Sequence, residues 1–232
     1  MIENFKLAYR RALSIDQETP RVLEFVRRSV VGVAQPIILD VGCGYGRTLR
    51  ALRDVGLPAI GIDINPDIVS RNIQDGLQCC LPEDFRQMKR TADVIVMSHV
   101  VEHFEPLHLL AFMDDYLGYL RPEGHLVVAT PLLSDRFFDD FDHVRPYQPL
   151  GFSMVFGPRG AQVQYRGKHQ IELIDIWFRR SPMSVVFARG LYLRTWSSRW
   201  LQLVNLMGAL LFRLTRGHIG RTTGWAGVFR KI

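Results

Sequence analysis

Cysteine is scarce in this chain, with three in 232 residues, at positions 43, 79 and 80. An odd count without metal-ligand spacing argues against a disulfide framework and a zinc site, and suggests a reducing, cytosolic setting. Long apolar runs are missing too. The longest, Trp200 to Phe212, contains Gln202 and Asn205 and is too short to span a bilayer, though not to lie on one. Low-complexity tracts and internal repeats are absent. The first residues, Met-Ile-Glu-Asn-Phe-Lys, are charged early and have no apolar centre, so no signal peptide is expected. Acids are short in one region only. Residues 151–232 hold 13 Lys and Arg against two acids, Glu172 and Asp175, for a net +11, while residues 1–150 hold 16 against 21, for a net −5. A basic C-terminal third on a mildly acidic body predicts an anionic partner.

What is present is enough apolar content, 47% of residues, for one full α/β core with little left for a second. The densest signal is 37–46, Ile-Ile-Leu-Asp-Val-Gly-Cys-Gly-Tyr-Gly. Its apolar residues suit a strand buried in a parallel sheet, and Gly42, Gly44 and Gly46 remove side chains that would hold a ligand off the backbone. Leu49 and Leu52 then share a face, so the loop opens into a helix whose N–H groups point back at that ligand. From here the patterns alternate: strand 37–41, helix 46–54, strand 58–63, helix 66–74, strands 77–80 and 93–97, helix 106–120, strand 124–130. This predicts a doubly wound α/β sheet with right-handed crossovers. Residues 3–31 read as helical, interrupted at Pro20, and are expected to cover the sheet and cleft.

The second strand ends in Asp63, 23 positions after Asp40. The ends of strands one and two are neighbours in such a sheet, so this carboxylate faces the ribose of a nucleoside lying across the glycine loop, worth roughly 1.5 to 3 kcal/mol as a bidentate hydrogen bond. The bland alternative is an Asp preceding the turn at Asn65-Pro66. A dinucleotide-binding loop would need its third glycine at position 47, which is Arg. The pattern is instead D-x-G-x-G-x-G. Together with Gly-Ile-Asp-Ile-Asn-Pro at 61–66, Leu-Pro-Glu-Asp at 81–84 and His-Val-Val-Glu-His at 99–103, it resembles the class I, Rossmann-like S-adenosylmethionine-dependent methyltransferases over about residues 35–147. The branch resembled includes ubiquinone-biosynthesis and sugar O-methyltransferases.

That resemblance implies S-adenosylmethionine as cofactor and a mostly parallel seven-stranded sheet with an antiparallel last strand. It implies that Asp40, Gly42, Cys43, Gly44, Tyr45 and Gly46 hold the methionine portion, Asp63 and Ile64 the ribose and adenine edge, and Asp84, with Glu83 beside it, the adenine amine. Ser98 and His99 complete the cofactor site. A carboxylate at 40 also suits the cofactor's ammonium and sulfonium charges.

Ser98, His99, Glu102 and His103 follow the fourth strand at the carboxyl edge, where open α/β folds bind ligands. An imidazole there can take the proton a hydroxyl loses as it attacks a methyl group. His103 is the first choice of base and His143, in the loop around Asp142 to Tyr147, the second. Glu102 is a candidate to take part; the bland alternative is that Glu102 and His103 cap the next helix and brace the loop. His99, Glu102, His103 and His143 could also share a divalent cation, as Glu/His arrangements do in some O-methyltransferases; separate roles without metal are expected.

Ala161–Tyr165 and Ile171–Phe178 read as strands paired around Gly167, and Trp225–Phe229 as the last strand. Residues 181–222 set Trp and Leu among Arg, which fits an interfacial helix on an anionic membrane or a helical pair buried in the core or a homodimer. Nucleic acid is the weakest reading, because the aromatics cluster with aliphatics. The expected organisation is one methyltransferase domain over 1–232: helical cover 1–31, core 32–180, insertion 181–222, last strand 223–232. The expected function is methyl transfer to the hydroxyl of a small-molecule, glycan or lipid-linked acceptor, in the cytoplasm or at the inner membrane face. Two other classes stay open. A nicotinamide oxidoreductase is disfavoured by Arg47, and a non-catalytic cofactor-binding module docking on a membrane or protein partner is disfavoured by the His and Glu after strand four.

Overall fold

The computed structural model describes residues 16–158, 162–193 and 197–232, so the first half of the expected helical cover lies outside the described residues. In chain order the elements are α1 (Glu18–Ser29), β1 (Ile38–Val41), α2 (Arg47–Asp54), β2 (Ile60–Ile62), α3 (Pro66–Gln74), β3 (Cys79–Cys80), α4 (Pro82–Met88), β4 (Ala92–Ser98), α5 (Pro106–Tyr119), β5 (Leu120–Pro131), α6 (Pro149–Phe156), β6 (Ile171–Ser181), α7 (Arg189–Tyr192), α8 (Ser197–Leu214) and β7 (Arg221–Lys231). Single 3₁₀ turns cover Val101–His103 and Phe137–Asp139.

The seven strands form one sheet in the order β3-β2-β1-β4-β5-β7-β6. β1 lies parallel to β2 and β4, with Leu39 opposite Ile60 on one side and Ile95 on the other. β7 runs antiparallel to both neighbours, pairing Trp225 with Thr130 of β5 and with Phe178 of β6. The apolar runs Ile38–Val41 and Val94–Met97 are buried throughout because both faces of the sheet are covered. On one face α1 and α2 set Val22, Phe25, Val26, Leu49 and Leu52 against Ile38, Val94 and Val96. On the other, Met113 and Leu117 of α5 and Phe152 and Phe156 of α6 pack with Ile95, Trp225 and Phe229.

Proline punctuates the helix starts. α3, α4, α5 and α6 each begin on one, where the missing N–H would have had no intrahelical partner. Pro20 behaves in the same way. It lies in the first turn of α1, which starts at Glu18, so it does not interrupt a longer helix; the Asp16 carboxylate caps this end by accepting from the N–H groups of Glu18 (3.1 Å) and Thr19 (3.0 Å). Two helices, α4 and α6, escaped the sequence reading although both carry the proline signal.

Of the strand expected at 161–165, Ala161 lies outside the described residues and 162–165 are not a strand. Residues 162–170 form neither helix nor strand, and β6 pairs with β7 alone among the described strands. The backbone of this stretch is tied elsewhere: the Gly167 N–H donates to the Val155 carbonyl at 3.1 Å, and the Lys168 N–H to Asp114 at 2.7 Å. With its hydrogen bonds taken by α5 and α6, it has no ladder to join.

β6 and β7 are joined by residues 182–220, which carry α7 and α8. Phe212 on the inner side of α8 is buried, whereas Trp200, Leu203, Val204, Met207, Leu210, Leu211 and Leu214 on its outer side are exposed. That outer stripe follows the three- and four-residue spacing of one helix face. It is not packed in the core of this chain. No described helix is long and apolar enough to cross a membrane.

Candidate active site

At the carboxyl edge of β1 the chain turns through Gly42, Gly44 and Gly46, all at positive φ. Two of them show why no larger residue serves. A Cβ on Gly42 would come within 2.6 Å of Val100, and one on Gly46 within 2.6 Å of Leu77 and 2.8 Å of Asn72, whereas a Cβ on Gly44 would meet nothing within 4 Å. Asn72, fully buried on α3, ties the loop down by donating from Nδ2 to the Gly44 carbonyl at 2.8 Å. Asp63 holds the loop from the next strand. Its Oδ2 accepts from the Gly44 N–H and its Oδ1 from the Asn65 N–H, both at 2.9 Å.

The loop forms one wall of a cleft of about 430 Å³, bordered by Asp40, Gly42, Cys43, Gly44, Arg47 and Thr48, and across from them Ser98, His99, His103, Asp140 and His143. Asp40 is 2% exposed, and its Oδ2 has no hydrogen-bond partner among the described residues. Burial pushes its carboxyl up to about 7; Cys79 and Asp63 add to this and Arg47 opposes it. A buried carboxyl with an unpartnered oxygen, bordering a cleft beside a glycine loop, fits the ammonium end of an amino-acid-bearing cofactor such as S-adenosylmethionine.

The opposite wall is held from behind. His99 follows β4 in the left-handed region at φ 58°, which is rare for a residue with a side chain and marks a constrained position. Its Nδ1 lies 3.1 Å from Glu102 Oε1 and its Nε2 lies 2.7 Å from Glu18 Oε1. Burial disfavours the charged ring, but the hydrogen bonds and charges of Glu102 and Glu18 outweigh it and raise its pKa to about 9. His99 is therefore an imidazolium at neutral pH, clamped between two carboxylates. Glu18 is buried as well. Burial works against its ionisation, yet His99, Arg179 and Arg47 hold its pKa below the ordinary value, with Arg179 donating to its Oε2 at 2.8 Å. Gly224 leaves room for this guanidinium, which a Cβ there would approach to 2.8 Å.

Glu102 has no exposed surface and does not border the cleft. Its Oε2 accepts from Thr130 at 3.0 Å, and its backbone carbonyl accepts from Val144 (2.9 Å) and Arg145 (3.1 Å). Its backbone thus braces the loop, and its side chain does not cap α5. That loop delivers His143 to within a ring-centroid distance of 5.1 Å from His103. Each ring is oriented through Nδ1, with His103 3.0 Å from the Asp142 carbonyl and His143 2.7 Å from the Phe137 carbonyl. A carbonyl only accepts, so Nδ1 donates in both contacts, which leaves Nε2 as the nitrogen on each ring that can take a proton. Ligand atoms of Glu102, His103 and His143 lie within 4.8 Å of one another.

A second cavity of about 500 Å³ opens beside the first and shares His99 and His143 with it. Its far wall comes from 182–220: Pro182, Ser184 and Val186, with Asn205 and Ala209 of α8. Asn205 fixes that wall by accepting from the Val185 N–H at 2.7 Å and donating to the Val185 carbonyl at 3.1 Å.

Of the residues expected to bind cofactor, the cleft wall thus includes Asp40, Gly42, Cys43, Gly44, Ser98 and His99, with both candidate bases. Gly46 shapes the loop and Asp63 pins it. Tyr45 and Ile64 are exposed, with the Arg71 guanidinium 5.2 Å above the Tyr45 ring, and Asp84 is exposed in the first turn of α4. Glu18, Asn72 and Arg179 were missed. Nothing in the sequence places residues 18 and 179 beside position 99, although an acid directly before a helix-opening Thr-Pro was a visible oddity.

Comparison with known proteins agrees with this architecture. The methyltransferase-domain family matches residues 8–197. The bovine mitochondrial ubiquinone biosynthesis O-methyltransferase is 31% identical over 105 residues, covering 40% of this chain, which itself spans only 28% of that protein's length. Human N-terminal Xaa-Pro-Lys N-methyltransferase 1 is 27% identical over 147 residues, covering 58% of this chain and 66% of that one. Among solved structures, a SAM-dependent methyltransferase from Archaeoglobus fulgidus superposes with a TM-score of 0.56 at 19% identity, over 92% of this chain and 95% of that one, a likeness of fold. With this family match, the strand order β3-β2-β1-β4-β5-β7-β6 and an antiparallel β7, the chain belongs to the class I S-adenosylmethionine-dependent methyltransferases.

Proposed function

We propose that the protein transfers a methyl group from S-adenosylmethionine to a hydroxyl of a small-molecule, glycan or lipid-linked acceptor. The observation that carries this reading is the buried Asp40 carboxyl, which borders the glycine-loop cleft with one oxygen unpartnered among the described residues, next to a second cavity that shares His99 and His143. Asp40, the loop from Gly42 to Gly46, and Ser98 would hold the methionine portion. Asp63 would serve the ribose with the lone pairs left over from its two loop hydrogen bonds, flanked by Ile64 at the adenine edge and, farther out, Asp84 at the adenine amine. Bound there, the cofactor supplies a methyl group on a sulfonium, open to in-line displacement. The chain's share is to orient the two reactants and to take one proton.

The expected order of bases was His103 first and His143 second. His143 borders both cavities whereas His103 borders only the first, and this reverses the order in our proposal: His143 Nε2 accepts the acceptor's proton, and His103 supports it from 5.1 Å away. Glu102 and His99 position this wall and touch neither reactant's proton.

The outer stripe of α8 extends the proposal to a partner. An exposed row of Trp200, Leu203, Val204, Met207 and Leu211, in a C-terminal third with 13 basic residues against two acids, fits the headgroup region of an anionic membrane. A homodimer formed through the same stripe is the outcome that would displace it.

Calorimetric titration with S-adenosylmethionine and with NADH tests the core of the proposal. Binding of the first and not the second is expected; preference for NADH would return the chain to the oxidoreductase reading.

A further inference from the structure

We infer that the second cavity recognises its acceptor through a phosphate group, held at the cavity mouth by Arg136 and Arg221. This rests on the methyltransferase reading above, in which that cavity is the acceptor's. Three guanidinium groups border it, those of Arg136, Arg179 and Arg221, against a single carboxylate, Asp135. Arg179 is occupied, donating to Glu18 behind the wall and to the Thr223 carbonyl at 3.2 Å. Asp135 is paired to Arg221. The exposed guanidinium of Arg136 has no ion pair among the described residues, so the cavity keeps an uncompensated cation beside a second one paired to a single acid. His99, itself cationic at neutral pH, also borders it.

An anion would meet two forks of N–H donors here, and the Ser184 hydroxyl, which makes no hydrogen bond among the described residues, would add one more. Two guanidinium forks and a hydroxyl offer more donors than the two oxygens of a carboxylate need, and suit the several oxygens of a phosphate. The phosphate has two chemical sources, a soluble sugar phosphate or a lipid-linked one. The second would leave its chain on the side of α8, whose outer face is apolar.

The test is calorimetry on the full chain with glucose 1-phosphate against glucose, and with geranyl phosphate against geraniol, each in moderate salt. The phosphate of at least one pair should bind tenfold or more tightly than its neutral partner, and the pair with the tighter phosphate identifies the source. Arg136→Gln should lower phosphate affinity at least tenfold, and Arg136→Lys should restore part of it. Arg136 is exposed and lies outside the cofactor cleft, so affinity for S-adenosylmethionine should not change. Neutral and phosphorylated probes binding alike, or Arg136→Gln binding like the wild type, would overturn the inference. The S-adenosylmethionine titration on the same samples separates the two levels. Cofactor binding without phosphate selectivity sinks this inference alone, and phosphate selectivity without cofactor binding sinks the methyltransferase reading while the anion site stands.

Discussion

His99 Nε2 and Glu18 Oε1 lie 2.7 Å apart, joining the start of α1 to the end of β4 across 81 positions of sequence. With Arg179 on the other Glu18 oxygen, this contact fastens the N-terminal helix and β6 to the wall that carries the candidate bases. A buried acid is costly unless paired, and here it is paired three ways.

The first prediction concerns pH. The His99 pKa is raised to about 9 from 6.5, so its stabilising contribution is complete below 6.5 and is lost as pH rises through 9. Glu18 is lowered from 4.5, so its contribution is present above 4.5 and is lost only in acid. Thermal midpoints should therefore fall between pH 6.5 and 9.5, and Glu18→Gln should be less stable at pH 6.5 with a shallower fall. Parallel slopes for the two proteins would place the titration elsewhere.

Asp40 gives the second. An ammonium group favours the ionised carboxylate, so cofactor binding should expel a proton and tighten as pH rises through about 7. Asp40→Asn should bind S-adenosylmethionine about tenfold or more weakly and lose this dependence. Titrations in two buffers of different ionisation enthalpy would read the proton directly; equal heats would contradict the pairing.

Turnover separates the two histidines. His143→Ala should reduce kcat by on the order of a hundredfold while cofactor affinity holds, with a smaller loss for His103→Ala. A reversed order would return the base to His103.

The closeness of Glu102, His103 and His143 calls for a metal control. If the two rings act as free imidazoles, turnover survives exhaustive EDTA treatment. Loss of turnover that returns on adding Mg²⁺ would make them ligands instead.

For the α8 stripe, the intact protein should co-sediment with anionic liposomes at low salt and release at high salt, and Trp200→Ser with Met207→Ser should weaken the association. A salt-insensitive dimer that these substitutions dissociate would assign the stripe to a second copy of the chain.

The sheet was legible because its strands are continuous apolar runs and its first loop needs glycine for steric reasons; both are local properties. Asp40 ends the first of these runs, so its place beside the loop was legible with the strand. Glu18 was not, because its meaning depends on a contact 81 positions away, and the contacts Asp63 makes with the N–H groups of Gly44 and Asn65 were not anticipated. The stretch 162–170 misled because Val163 between two glutamines imitates strand alternation, while Asp114 and the Val155 carbonyl claim the backbone donors farther along it. Pro82 and Pro149 were readable helix starts that went unused.

Because β7 is antiparallel to both neighbours, β6 ends and β7 begins at the same edge of the sheet, the edge where both cavities open. Residues 182–220 therefore leave and rejoin the fold beside the second cavity without crossing the glycine loop. The segment can lengthen, shorten or change sequence with little disturbance to strand register or glycine geometry, so, with the acceptor in the second cavity as proposed, acceptor choice is free to diverge while the methyl-donor half stays fixed.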